Sequence, residues 1–92
     1  MHISKEIDYG LRAMIIIASN PEVLLSSKEI SKRSGIPYNF LSLILPKLVR
    51  RGLIQSLQGP KGGYRLAKTA SQITLLEIIE SLQGPIELIA CN

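Results

Sequence analysis

Gly52-Leu53-Ile54-Gln55-Ser56-Leu57-Gln58-Gly59-Pro60-Lys61-Gly62-Gly63-Tyr64-Arg65-Leu66-Ala67 is the stretch whose reading decides the fold. Two short runs of strand-forming residues, Leu53–Leu57 and Tyr64–Ala67, flank a turn built from glycine and proline, so the segment predicts a β-hairpin. What precedes the hairpin gives it meaning. Leu41, Ile44, Leu45 and Leu48 recur at helical spacing, which predicts a helix opened by Ile36-Pro37 and closed by Arg51-Gly52. Upstream, Ser26-Ser27-Lys28-Glu29 reads as a reciprocal capping box opening a shorter helix that Gly35 ends. Two helices joined by a tight glycine-containing turn form a helix-turn-helix, and a hairpin directly after the second helix is a wing.

Working outward, Ile3, Ile7, Leu11, Met14, Ile15 and Ala18 predict a first helix over residues 3–19, stopped at Asn20-Pro21. Ile16 and Ile17 lie off that stripe, so this helix is expected to be central or to pack against a second subunit. Thr74-Leu75-Leu76-Glu77 reads as a second capping box, opening a helix that carries Leu75, Ile78, Ile79 and Leu82 and stops at Gly84-Pro85. Residues 86–90 form an apolar tail. The expected fold class is mainly α with a small β-hairpin, a winged helix-turn-helix, formed by residues 1–92 as one domain.

The 46% apolar content of the 92 residues suffices for a core, and with one Phe, three Tyr and no Trp that core must be aliphatic. Cys91 stands alone and cannot form an internal disulfide, which suggests a reducing, cytoplasmic setting. No apolar run approaches the ~18–20 residues that span a bilayer, so no membrane partner is expected. The net charge of +4 matters less than its distribution. Between Glu29 and Glu77 there is no acid, while Lys32, Arg33, Lys47, Arg50, Arg51, Lys61, Arg65 and Lys68 fall in that interval. A central stretch of one sign is the pattern of a polyanion binder. A solvated basic face without a partner would look the same.

The candidate contacts to double-stranded DNA follow from the helix-turn-helix geometry. The N-terminal half of the second helix enters the major groove. Tyr38, Asn39 and Ser42 lie there, opposite the buried stripe: Asn pairs with adenine, Ser bonds base edges or phosphate, and Tyr offers a hydroxyl to phosphate. At the wing, Gln58 could reach a groove edge and Lys61 supplies charge, while the glycines let the main chain approach closely. Lys47, Arg50 and Arg51 read as phosphate clamps, and Arg65 and Lys68 could serve likewise. Pro46 falls inside the helix, where it deletes the bond to the Ser42 carbonyl and predicts a kink or a restart.

Asp8-Tyr9 with Arg12-Ala13, Ile36-Pro37, Lys47-Leu48, Gly52-Leu53-Ile54 and above all Gly59-Pro60-Lys61-Gly62-Gly63-Tyr64-Arg65-Leu66-Ala67, followed by Ile73-Thr74-Leu75, resemble the Rrf-type regulators. That group includes iron–sulfur-cluster and nitric-oxide-responsive repressors of bacteria, and the resemblance covers essentially the whole chain. It implies a homodimeric repressor on a palindromic operator. It also implies DNA contacts from Tyr38, Asn39, Phe40, Ser42, Gln58, Gly59 and Pro60, although the position of Phe40 equally suits core packing. Where this chain has Gln58, many relatives have arginine, which alters the minor-groove contact.

The sensing members carry three cysteines after the helix matching residues 74–82, holding an iron–sulfur cluster, and then a long dimerisation helix. Cys91 falls where the first cysteine would lie, and the sequence stops at Asn92, so truncation is expected. One thiolate cannot hold a cluster, which takes about four ligands. No cofactor is therefore expected in this chain, with an iron–sulfur cluster reserved for a longer form. Asp8, a further ligand in some relatives, here reads as a surface carboxylate near a helix start.

An enzyme finds no support: His2 is terminal, and there are no paired carboxylates, metal spacing or nucleophile arrangement. The competing reading is a winged helix that binds another protein, its basic face incidental.

Overall fold

The computed structural model describes residues 4–83, so the expectations for His2, Ile3, Gly84-Pro85, the tail and Cys91 fall outside the described residues. The elements run α1 (Lys5–Ala18), α2 (Ser27–Ser34), α3 (Tyr38–Arg50), β1 (Ile54–Leu57), β2 (Gly63–Leu66), a 3₁₀ turn (Ala70–Gln72) and α4 (Leu75–Gln83). This is the winged helix-turn-helix order.

Each helix of the reading unit ends for a local reason. Ser26 Oγ accepts from the Glu29 amide at 3.1 Å. The return half of that capping box is not made, because the Glu29 carboxylate instead takes the Arg33 Nε at 3.0 Å. Gly35 closes α2, and Ser34 Oγ accepts from the Ile36 amide at 3.1 Å while Ser31 Oγ donates to the Ile36 carbonyl, which sets the three-residue turn into α3. At the far end of α3, Gly52 sits at φ 84. Its amide bonds the Val49 carbonyl, and the Leu53 amide bonds Leu48 O at 3.1 Å, the Schellman arrangement. Leu48 and Leu53 are fully buried beneath it, so the same motif that ends α3 aims the chain into the wing.

α3 runs through Pro46 as one helix, so the expected restart does not occur. The Ser42 carbonyl, which loses the bond an amide at position 46 would donate, belongs to an exposed residue on the solvent side of the helix.

The core collects Ile7, Ala13, Met14 and Ile17 of α1 with Ile30, Ile36, the Leu41-Ile44-Leu45-Leu48 stripe, Leu53, Ile54, Ile78 and Leu82. The α1 stripe therefore differs from the expected one. Ile17 is buried at 1% exposure and Ile15 stands out at 63%, with Gly10 letting α4 approach on the buried side. A Cβ on Gly10 would fall 2.3 Å from Leu82. Leu75, expected on the buried stripe of α4, is exposed.

The Thr74–Glu77 capping box is made in both directions, at 3.0 and 3.1 Å. Lys68 Nζ reaches the other Glu77 oxygen at 2.8 Å. The Lys68 ammonium first, and the Thr74 amide next, hold the Glu77 carboxyl below its ordinary 4.5. A depressed folded value means this contribution is full above that ordinary value and disappears as pH falls through the folded one. Urea unfolding between about pH 5 and about pH 3 should lose stability on acidification, and Glu77→Gln should flatten part of that slope. An unchanged slope in Glu77→Gln would reject the assignment.

Candidate nucleic-acid interface

The wing is a four-residue ladder, Ile54↔Leu66, Gln55↔Arg65, Ser56↔Tyr64 and Leu57↔Gly63, antiparallel. Across it, Arg65 Nε donates to Gln55 Oε1 at 3.1 Å. Its turn closes where the Gly62 amide bonds the Gly59 carbonyl at 2.9 Å. Gly62 is obligatory there, since a Cβ would fall 2.1 Å from the Leu57 carbonyl oxygen.

A contact not foreseen from sequence ties the wing to the helix-turn-helix. Leu25, just ahead of α2, exchanges both backbone hydrogen bonds with Tyr64, at 3.0 and 2.8 Å. One bridging residue leaves no alternation for sequence to reveal. Its consequence is positional: the start of α2 and the base of the wing move as one piece.

That bridge brings the candidate residues together. Tyr38, Ser26, Ser27 and Lys28 share an open cleft of about 330 Å³ with Gln58 and Gly59 of the wing. Tyr38 also lines a depression with Lys28, Ser31 and Lys32. Tyr38 is thus the hinge of the surface, half exposed at 52%, with the wing on one side and two α2 lysines, one turn apart, on the other. Asn39 and Ser42 continue the exposed side of α3, and Ser42 Oγ donates to the Asn39 carbonyl at 2.6 Å. Pro60 and Lys61 are exposed at the wing tip, where they line a hollow with Leu24 and Ser26. α3 begins at Pro37 without a side-chain cap, which leaves its N-terminal dipole directed at this surface. Lys28 was not singled out in the sequence, although its spacing from Lys32 was visible.

Two expected contacts take internal roles. Phe40 packs edge-on against Tyr9, ring centroids 4.7 Å apart at 85°, and the Arg12 guanidinium lies over the Tyr9 ring, 5.7 Å from its centroid. It belongs to the α1–α3 junction. Lys47 is held by the Glu6 carboxylate and the Leu82 carbonyl, so its ammonium secures α3 to α1 and α4. Arg51 pairs with Glu80 at 2.9 Å and Lys68 with Glu77, so acids of α1 and α4 neutralise three of the eight cations of the basic interval, and Glu29 takes a fourth, Arg33. Among the described residues, Lys28, Lys32, Arg50, Lys61 and Arg65 have no carboxylate within ion-pair distance.

No group of three His, Cys, Asp or Glu side chains able to hold a metal occurs among the described residues, and the Asp8 carboxylate is taken by Arg12 at 3.1 Å. The candidate cluster ligand, Cys91, lies outside the described residues. No described helix is long and apolar enough to cross a membrane.

The family described as Rrf2, iron-dependent transcriptional regulator, matches residues 3–92. BadM of Rhodopseudomonas palustris, named as an HTH-type transcriptional regulator, is 40% identical over 79 residues, covering 86% of this chain and 51% of BadM. This chain thus spans about half of that relative's length. Among solved structures, CymR, described as the global cysteine regulator of B. subtilis, superposes with a TM-score of 0.87 at 34% identity, over 94% of this chain and 67% of CymR. IscR of T. potens gives 0.85 at 28% identity, over 99% of this chain and 72% of IscR.

Proposed function

The chain belongs to the Rrf2 family of transcriptional regulators, which are not enzymes, and from that premise we propose that it binds a palindromic operator as a homodimer and represses by occluding it. The observation that carries the reading is the shared surface at Tyr38, where the recognition helix, the wing and the α2 lysines meet. Asn39 and Ser42 read base edges; Gln58, Gly59, Pro60 and Lys61 follow the adjoining backbone or minor groove. Lys28, Lys32, Arg50 and Arg65 neutralise phosphates.

The dimer finds support on a different set of residues. Leu11, Met14, Ile15 and Ala18 of α1 form, with Ala70, Ile73 and Ile78, an apolar groove of about 180 Å³ that a second copy would cover. Two-fold symmetry in the protein then requires a two-fold symmetric site.

The test is binding to duplexes selected from a random pool, measured against salt. Five phosphate-facing cations per chain give a slope of log K on log salt of about −4 to −5 per chain. Asn39→Ala with Ser42→Ala should reduce the preference for the selected duplex over a scrambled one by ~10-fold or more, since a good side-chain-to-base pair discriminates by about 1–3 kcal/mol, while leaving the salt slope in place. An affinity insensitive to salt would favour the protein-interaction reading instead.

A further inference from the structure

Leu43 is exposed at 63%, as much as any large apolar side chain described. Ile15, its equal, sits among apolar neighbours in the α1 groove, whereas Leu43 stands on the polar side of α3. One turn before it is Asn39, beside it Ser42, one turn after it Pro46, and all are exposed. From Tyr38 to Pro46 the helix carries no charged side chain at all. Bidentate reading of guanine, the commonest specific contact, needs an arginine or lysine, so this part of the helix cannot perform it. The Ser42 hydroxyl hydrogen is spent on the Asn39 carbonyl, leaving that oxygen as an acceptor toward a base.

An exposed leucine on a groove-entering helix has one apolar partner available in DNA, the C5 methyl of a pyrimidine, which lines the major groove. Resting on the DNA-binding reading above, we propose that Leu43 seats against the C5 methyl of a thymine and makes operator recognition depend on that methyl. Leu43 follows Asn39 by four positions, a rise of about 6 Å along the helix. At ~3.4 Å per base pair, the methyl lies one or two base pairs from the adenine that Asn39 reads. Arg50, Lys28 and Lys61 hold the flanking phosphates, so the leucine is brought to the groove by cations rather than by its own burial.

The experiment takes a duplex selected by the chain from a random pool and replaces its thymines one at a time with deoxyuridine, which removes only the methyl. A second arm puts 5-methylcytosine in place of cytosine in the same duplex. The expected result is a position in each half-site where deoxyuridine weakens wild-type binding about three- to tenfold, with Leu43→Ala losing that difference while keeping its salt slope and its melting temperature. A methylated cytosine that strengthens binding without any thymine effect would overturn the assignment to thymine. Indifference of the wild type to every deoxyuridine, or a Leu43→Ala chain that still distinguishes thymine from deoxyuridine, would overturn the inference and leave the DNA-binding reading intact. A pool yielding no duplex above background would overturn both.

Discussion

Replacing Ile30 with alanine is expected to lower the unfolding free energy by about 2–5 kcal/mol, a large part of the ~5–15 kcal/mol typical of a folded domain. Ile30 is the only buried residue of α2, at 0% exposure. The remaining residues of that helix are serines, lysines, an arginine and a glutamate, none of them fully buried and none apolar. Between the anchors at Leu25 and Ile36, α2 therefore meets the core through one apolar side chain, and a cavity there loosens the element that carries Lys28 and Lys32. Urea unfolding reads the stability, and DNA titration well below the midpoint reads the geometry. Stability lost with affinity kept would show that α2 does not organise the interface. A loss under ~1 kcal/mol would show that the site collapses around the smaller side chain, against the cavity expectation.

The helix-turn-helix and wing were legible because their signals are local. Caps, glycines and apolar spacing all fall within a turn or two of the residues they govern, and Ser26, Gly35, Gly52 and the Gly59–Gly63 turn each act where the sequence placed them. What was hidden lies in pairings across the chain. Gly10 and Ala13 carry too little apolar mass to read as core, yet both are buried; the missing Cβ of Gly10 lets Leu82 in, and the buried side of α1 passes through Ile17 in place of Ile15. Phe40 looked equally suited to groove or core until Tyr9, thirty-one positions earlier, supplied its partner. The Leu25–Tyr64 bridge is a single residue pair, too short for any periodicity. Leu43 was visible as a leucine off the buried stripe, and only its exposure gives it a meaning.

Charge shows the same division with a measurable consequence. Counted along the chain, Lys47, Arg51 and Lys68 belong to an acid-free interval; in the fold, each meets a carboxylate from α1 or α4. Surface pairs of this kind contribute about 0–1 kcal/mol apiece, yet they remove those cations from the set free to release counterions on DNA. Two triple variants of equal charge separate the two pictures. Lys28→Ala with Lys32→Ala and Lys61→Ala should make the salt slope shallower by about three and weaken binding roughly 10²–10³-fold at 0.1 M salt, since each phosphate contact contributes on the order of tenfold there. Lys47→Ala with Arg51→Ala and Lys68→Ala should change the slope by less than about one, and its cost should appear in unfolding. Long-range repulsion from three unpaired carboxylates would depress affinity in the second set as well, but that effect is screened beyond ~10 Å at 0.1 M salt and does not mimic a lost phosphate contact. Equal loss of slope in both sets would mean that the internal pairs open on DNA and that the basic interval acts as a whole.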